Sequence, residues 1–281
     1  MTMSRGSRRR TGRELWNERA LAWERWEAIL MHSLGTVNPI LFRALDLKPG
    51  HRVLDIGCGT GDPALALAQW VGPRGRVVGM DSAEAMLLVA RRRARILRLE
   101  NVVFRVGDMG RFRHRGRPFH RAAARYALMF AGDPERTLAS IRASLAPGGI
   151  LAAAVWGPME ENPGAFLREE AVLPFLKEPP PDPEGSAHPM RFARPGLLPR
   201  LFRRAGFRAV RCDAAPGGSV YPTLEDFARI QLESALAETC SGLSPADRRL
   251  LTARLCSRFR RFQAGPVVRV PAHSWVVSGR R

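Results

Sequence analysis

Val53-Leu54-Asp55-Ile56-Gly57-Cys58-Gly59-Thr60-Gly61-Asp62-Pro63 is the stretch whose reading decides the fold. A short apolar strand, Arg52 to Ile56, runs into alternating glycines and then into an apolar helix expected over Asp62 to Trp70. Glycine at every second position lets the backbone approach a ligand closely, with Asp62 expected as helix N-cap and Pro63 as the first helical residue. A dinucleotide fingerprint needs G-x-G-x-x-G; the spacing here is G-x-G-x-G, with Asp62 where the third glycine or alanine belongs. An acid at the strand end gains nothing from a pyrophosphate, whereas Asp55 suits a ligand with a cationic amino group and sulfonium.

Working outward, strands alternate with helices. A second strand is expected over Arg76 to Met80, a helix over Ala83 to Leu97, and a third strand over Val102 to Val106. A fourth strand, Ala122 to Met129, then precedes a helix from Pro134 to Leu145 and a fifth strand from Ile150 to Trp156. Such alternation means βαβ units and a mostly parallel, doubly wound α/β sheet. Upstream, apolar residues at spacings of three and four from Leu15 to Leu34 predict an amphipathic helix, and Pro39 to Leu45 a second. Beyond Gly157 the regularity fades, with Pro179-Pro180-Pro181 read as an exposed loop. A helix (Leu197 to Ala205), a strand (Phe207 to Cys212), a mostly helical run (Leu224 to Phe262) and a closing hairpin or strand (Val267 to Val277) follow. The expected organisation is a disordered basic tail (1–13) and one domain (14–281). The domain divides into cap helices (14–49), a ligand-binding core (50–156), a loop or lid (157–196), and a C-terminal part (197–281) with a helical insertion over 222–264.

Acids end three successive strands. Asp81 stands twenty residues after Gly61, where a carboxylate accepts both hydroxyls of a ribose, and Asp108 stands where one accepts from an adenine amino group. Each alone reads as a cap or turn residue. Together with Asp55 they converge on the crevice where open α/β sheets bind ligands.

On these residues the sequence resembles the class I S-adenosylmethionine (SAM)-dependent methyltransferases, in particular the ubiquinone/menaquinone-type subgroup. The likeness also includes Gly75 to Asp81, Ser82 to Met86 with Ala90-Arg91, Arg125 to Phe130, Leu145 to Gly149, and Trp156-Gly157 with Glu161-Asn162-Pro163. It implies a Rossmann-like fold with N-terminal helices and the C-terminal insertion as a lid, and SAM as cofactor. By resemblance, Gly57 to Gly61, Cys58 and Gly59 included, hold the methionine part, and Asp81 the ribose. Met86 lies on one adenine face, Asp108 with the Met109 backbone at the adenine edge, and Trp16 covers the cofactor; Asp55, Ser82, Gly107 and Arg125 complete the cofactor-binding set. The segment between Met109 and Ala124 departs from the family: His120 follows Phe119 where relatives carry Phe-Asp, among Arg111, Arg113, Arg115, Arg117 and Arg121.

Composition bounds the alternatives. The 281 residues are 45% hydrophobic and 25% charged, which excludes a disordered or collagenous chain. Four scattered cysteines suggest neither a zinc site nor a disulfide framework, so reduced thiols in a cytoplasm are expected. The net charge of +19 would suit nucleic acid, yet only Lys48 and Lys177 are lysines among the 45 basic residues, a skew that GC-rich codon usage produces unaided. Residues 91 to 125 hold twelve arginines against Glu100 and Asp108. No aromatic residues interleave on the helix bearing Arg91 to Arg98 to stack bases, so no specific nucleic-acid partner is expected. The leading reading is methyl transfer to an oxygen, nitrogen or carbon of a small, largely apolar acceptor. The rivals are an RNA-modifying methyltransferase and a protein that binds SAM without transferring methyl. The segment Arg125-Tyr126-Ala127-Leu128-Met129-Phe130 lacks the Asn/Asp-Pro-Pro-aromatic clamp for an extruded base. Displacement at a sulfonium needs alignment and exclusion of water, and a general base only where the nucleophile holds a proton. His32, Tyr126, His188 and Tyr221 are the candidate bases, each with an ordinary structural alternative.

Overall fold

The computed structural model describes residues 11–176, 182 and 188–281. The basic tail over 1–10 and the Pro179-Pro180-Pro181 loop lie outside them. Among the described residues the chain runs α1 (Gly12–Arg25), α2 (Glu27–Gly35), α3 (Asn38–Leu45), β1 (Arg52–Ile56), α4 (Ala64–Val71), β2 (Arg76–Asp81), α5 (Glu84–Ile96), β3 (Val102–Val106) and β4 (Phe119–Arg125). It continues as α6 (Pro134–Ser144), β5 (Leu145–Trp156), α7 (Pro163–Val172), α8 (Leu197–Arg204), β6 (Arg208–Tyr221), α9 (Leu224–Glu233), α10 (Ala237–Ser241), α11 (Pro245–Phe259), β7 (Gln263–Ala264) and β8 (Val267–Arg280).

The strands form one sheet in the order β3-β2-β1-β4-β5-β8-β6, with β7 paired to β8. β1 to β5 pair in parallel, while β8 runs antiparallel to both β5 and β6. Helices cover both faces, which is why Val53, Leu54, Asp55 and Ile56 of β1 are all buried. Successive residues point to opposite sides: Val53 joins Leu41, Leu45, Leu67 and Val276 in one core, and Leu54 joins Phe119, Leu138, Phe202 and Val277 in the other. A third cluster lies outside the sheet layers, where Leu167 of α7, Phe227 of α9, Phe259 of α11 and Val268 of β8 pack with Trp26, Ile29 and Leu30.

Several sequence expectations are corrected. The single helix expected from Leu15 to Leu34 is two, broken at Trp26, whose indole Nε1 donates to Glu233 Oε2 of α9 at 2.9 Å. Helix α1 begins at Gly12, inside the span read as tail, because Thr11 and Glu14 form a reciprocal capping box. Asp62 caps nothing: α4 starts at Ala64 with Pro63 in the N-cap position. Residues 163–172, read as irregular, form α7, which buries Leu167, Ala171 and Val172.

The fourth strand lies at Phe119–Arg125 rather than Ala122 to Met129. It ends because Tyr126 takes a left-handed φ of 52° and Leu128–Phe130 turns as a 3-10 helix. It begins early because the buried Arg121 has partners outside the strand. Its guanidinium donates to the Leu45 carbonyl, to the Asp46 carbonyl at 2.9 Å and to Asp46 Oδ2 at 3.2 Å, closing the C-terminus of α3. Arg121→Ala would leave those carbonyls without their donor; urea unfolding is expected to show a loss of about 2–3 kcal/mol.

The arginine-rich helix α5 is stitched to the cap helices. Arg92 pairs with Glu24 of α1, and Arg93 pairs with Glu27 of α2 at 2.7 Å while donating to the Thr60 carbonyl at 2.8 Å. Arg91 pairs with Glu84 at 2.6 Å and donates to the Phe104 carbonyl. Among the described residues no single helix is long and apolar enough to cross a membrane; α2 and α3 together are apolar but meet at 54°.

Candidate functional site

The parallel strands β1, β2 and β4 end side by side, and the glycine turn leaves β1 at that edge. The Gly57 and Cys58 amides both donate to the Met80 carbonyl of β2, and the Gly61 amide donates to the Cys58 carbonyl. Gly57 and Gly59 have φ of 68° and 51°, a region that side chains resist. A Cβ on Gly57 would meet the Ala127 Cβ at 2.4 Å, while one on Gly59 would stand in open space. The turn is therefore tight on its inner side and bare on its outer side.

Asp81 holds this turn. Its Oδ2 accepts from the Gly59 amide and its Oδ1 from the Ala83 amide, both at 2.9 Å, so one carboxylate ties the glycine turn to the start of α5. Burial pushes its pKa up while these amide bonds pull it down. Ser82 lies between these contacts, half-buried. The Gly107 amide donates to the Asp81 carbonyl, bringing the end of β3 alongside.

Asp55 is fully buried, and neither carboxylate oxygen has a hydrogen-bond partner of normal geometry. Desolvation raises its pKa to about 8; Arg125 and the nearby Ala64 amide oppose the rise, and Asp62 and Asp81 add to it. Arg125 neutralises this corner. It pairs with Asp62 Oδ2 at 2.5 Å and donates to the Asp62 carbonyl at 2.8 Å and to Asn38 Oδ1 of α3 at 3.2 Å. Asp62, expected as a helix cap, is instead the counter-ion of the arginine that ends β4.

Met86 is buried with Ala20 and Ala83, and Trp16 packs against that group from α1. The Trp16 ring also meets Trp23 and Phe130 edge to face, each at 5.6 Å. Met109 is half-buried, its Cε 4.0 Å from where a Cβ on Gly57 would lie. Two residues stand apart. Asp108 is exposed and closes a turn by accepting from the Gly110 amide at 2.8 Å. The Cys58 thiol is buried beside Gly79, and desolvation holds it well above the ordinary thiol pKa.

The four candidate bases are scattered. His32 is exposed on α2. His188 accepts from the Met190 amide through Nδ1, and burial lowers its pKa. The Tyr126 hydroxyl shares a 2.9 Å hydrogen bond with Ser274 Oγ, and its ring stacks on Trp156 at 4.4 Å. The Tyr221 hydroxyl accepts from Gln231 Nε2 at 3.5 Å. Desolvation raises both tyrosine pKa values, which makes neither a ready base near neutrality.

One positioning residue escaped the sequence. Asn17 Oδ1 of α1 accepts from the Ala85 amide at 3.0 Å, capping α5 from a neighbouring helix. The only legible signal was negative: α5 starts after Ala83, a residue with no side chain able to cap it.

Residues 47–176 match a family model described as a methyltransferase domain. An uncharacterised 37.1 kDa protein of transposon TN4556 from Streptomyces fradiae is 38% identical over 112 residues, 40% of this chain and 32% of that protein. Demethylmenaquinone methyltransferase from Bacillus cytotoxicus is 35% identical over 107 residues, 38% of this chain and 45% of that enzyme. The match thus spans less than half of either relative. The crystal structure of the cyclase SpnF superposes with a TM-score of 0.56 at 20% identity, over 87% of this chain and 79% of that one, a likeness of fold.

Proposed function

We propose, from the match of residues 47–176 to a methyltransferase-domain family model, that the chain transfers a methyl group from SAM to a small, largely apolar acceptor. The observation that carries this is the unpartnered carboxylate of Asp55 beneath the glycine turn. A buried acid without a partner is costly, and the cationic amino group and sulfonium of SAM supply the missing charge. Gly57, Gly59 and Gly61 would admit the methionine part, Asp81 with Ser82 would hold the ribose, and Met86 under Trp16 would flank the adenine. Gly107 and Met109 would border the adenine edge; Asp108 would reach it only by leaving its turn with Gly110. Cys58 would contribute its backbone, and Arg125 would hold the turn through Asp62. When bound, SAM supplies an electrophilic methyl; the protein aligns the acceptor and excludes water.

The acceptor site belongs, on this reading, among the cap helices, the segment around α7 and the insertion α9 to α11. What supports it is the third apolar cluster, to which all three contribute. The pairing of Arg91, Arg92 and Arg93 with acids and carbonyls also favours a scaffolding role for that part of the arginine cluster over an RNA-binding one. Binding of SAM without transfer is the second reading, favoured by the engagement of both candidate tyrosines; turnover against an acceptor panel separates the two.

Asp81→Ala tests the cofactor assignment. It would remove two ribose hydrogen bonds to a charged acceptor and release the Gly59 amide, so SAM affinity by calorimetry is expected to fall tenfold or more. Unchanged affinity would sink the assignment.

A further inference from the structure

His273 stands where β8 rises past the carboxyl end of β5. The Gly157 amide donates to its carbonyl at 2.9 Å, one step beyond the Trp156 to Ser274 pairing. Next to it, Ser274 holds the hydroxyl of Tyr126, the first residue after β4. The imidazole therefore lies over the ends of the strands that border the proposed cofactor site, the edge where open α/β sheets bind ligands.

The surroundings hold this ring in place. Asn162 clamps its backbone from both sides, accepting from the His273 amide at 3.1 Å and donating to its carbonyl at 3.0 Å. The ring meets Trp275 edge to face at 4.5 Å. It also fills the space above Gly157, where a Cβ would fall 2.0 Å from Nδ1, so that any side chain at 157 would displace it. The residue is only 8% exposed, and its Nδ1 is buried without a hydrogen bond. The charged group beside Nδ1 is Glu161, with Oε2 at 3.8 Å; Pro216 lies opposite on β6. Nε2, in contrast, is neither hydrogen-bonded nor among the buried unpartnered atoms of the described residues.

We propose that His273 is the general base of the acceptor site, oriented by Glu161, and that the acceptor is accordingly a hydroxyl of phenol or enol type. A carboxylate at Nδ1 favours the tautomer with the proton on Nδ1, leaving the Nε2 lone pair for the acceptor. The 3.8 Å separation closes to a hydrogen bond with a shift of about 1 Å, the kind of tightening that accompanies filling of a site. Nε2 takes the hydroxyl proton as the oxygen lone pair bonds to the methyl carbon and the carbon–sulfur pair stays on sulfur. The products are the methyl ether, S-adenosylhomocysteine and an imidazolium balanced by Glu161, which returns its proton to water. A neutral amine attacks with its lone pair before losing any proton, so a positioned base points to a hydroxyl.

The inference rests on SAM binding as proposed above, and its test separates the two. In the ¹⁵N-labelled full chain, with His273→Asn identifying the resonances, the neutral His273 ring is expected to carry its proton on Nδ1, and Glu161→Ala to lose that preference. Against a panel of phenols of graded acidity, His273→Asn should lower turnover about a hundredfold or more on weakly acidic members and least on those already ionised in the assay, with SAM affinity by calorimetry retained. The opposite tautomer, or an equal loss across the panel, would overturn the role of His273 while leaving SAM binding intact. Absence of SAM binding by calorimetry would overturn the cofactor reading and this inference with it.

Discussion

Asp55→Asn is expected to stabilise the ligand-free protein at neutral pH while weakening SAM binding more than tenfold. The carboxyl is fully buried and its pKa lies at about 8, against an unfolded value of about 3.9. Because the folded value is raised, the protonated form is the one the fold tolerates. Its contribution is fully present below about pH 4 and is lost as the pH rises toward 8, at about 1.4 kcal/mol per pH unit and about 6 kcal/mol as an upper bound. Asparagine carries no charge over that range. The difference in urea unfolding free energy between variant and wild type should therefore grow from pH 4 to pH 8, other titrating groups cancelling. SAM reverses the sign of the local field, since a cation beside Asp55 favours the carboxylate. Binding near pH 7 should then release a proton, visible by calorimetry in buffers of different ionisation enthalpy and missing in the variant. Parallel unfolding curves across this range would show that Asp55 stays ionised in the empty site.

The two glycines of the turn should separate stability from binding. Gly57→Ala would force a side chain to a φ of 68° and place its Cβ 2.4 Å from that of Ala127. Strain of about 1–2 kcal/mol and overpacking of about 1–3 kcal/mol add to a loss of about 2–5 kcal/mol, together with disruption of the site. Gly59→Ala meets nothing within 4 Å, so only the cost of its φ of 51° applies, about 1 kcal/mol. Yet its Cβ would stand on the bare side of the turn, where the backbone must approach the cofactor. Thermal unfolding should show a large drop for Gly57→Ala and a small one for Gly59→Ala, with SAM affinity falling at least tenfold in both. A Gly59→Ala protein that binds SAM as tightly as wild type would place the cofactor elsewhere.

Local patterning alone determined the strand, turn and helix succession from Arg52 to Val106. There the apolar runs, glycines and helix breakers act within a few residues of one another, and the observed β1 and β3 keep the expected bounds. The same short-range logic placed Asp55 and Asp81 at strand ends. Tertiary structure decided whatever depended on a distant partner. Arg121 reads as a surface charge until the α3 carbonyls, 75 and 76 residues away, receive it and the fourth strand starts earlier. Asp62 reads as a cap until Arg125 claims its carboxylate. Trp26 reads as mid-helix until Glu233 accepts from its indole and the helix breaks there. His273 carries no sequence signal, because the groups that orient it, Gly157, Glu161 and Asn162, lie more than a hundred residues away and reach it only once β8 inserts antiparallel beside β5. Charged and polar side chains take their meaning from the partner that satisfies them when buried, and that partner is set by the fold.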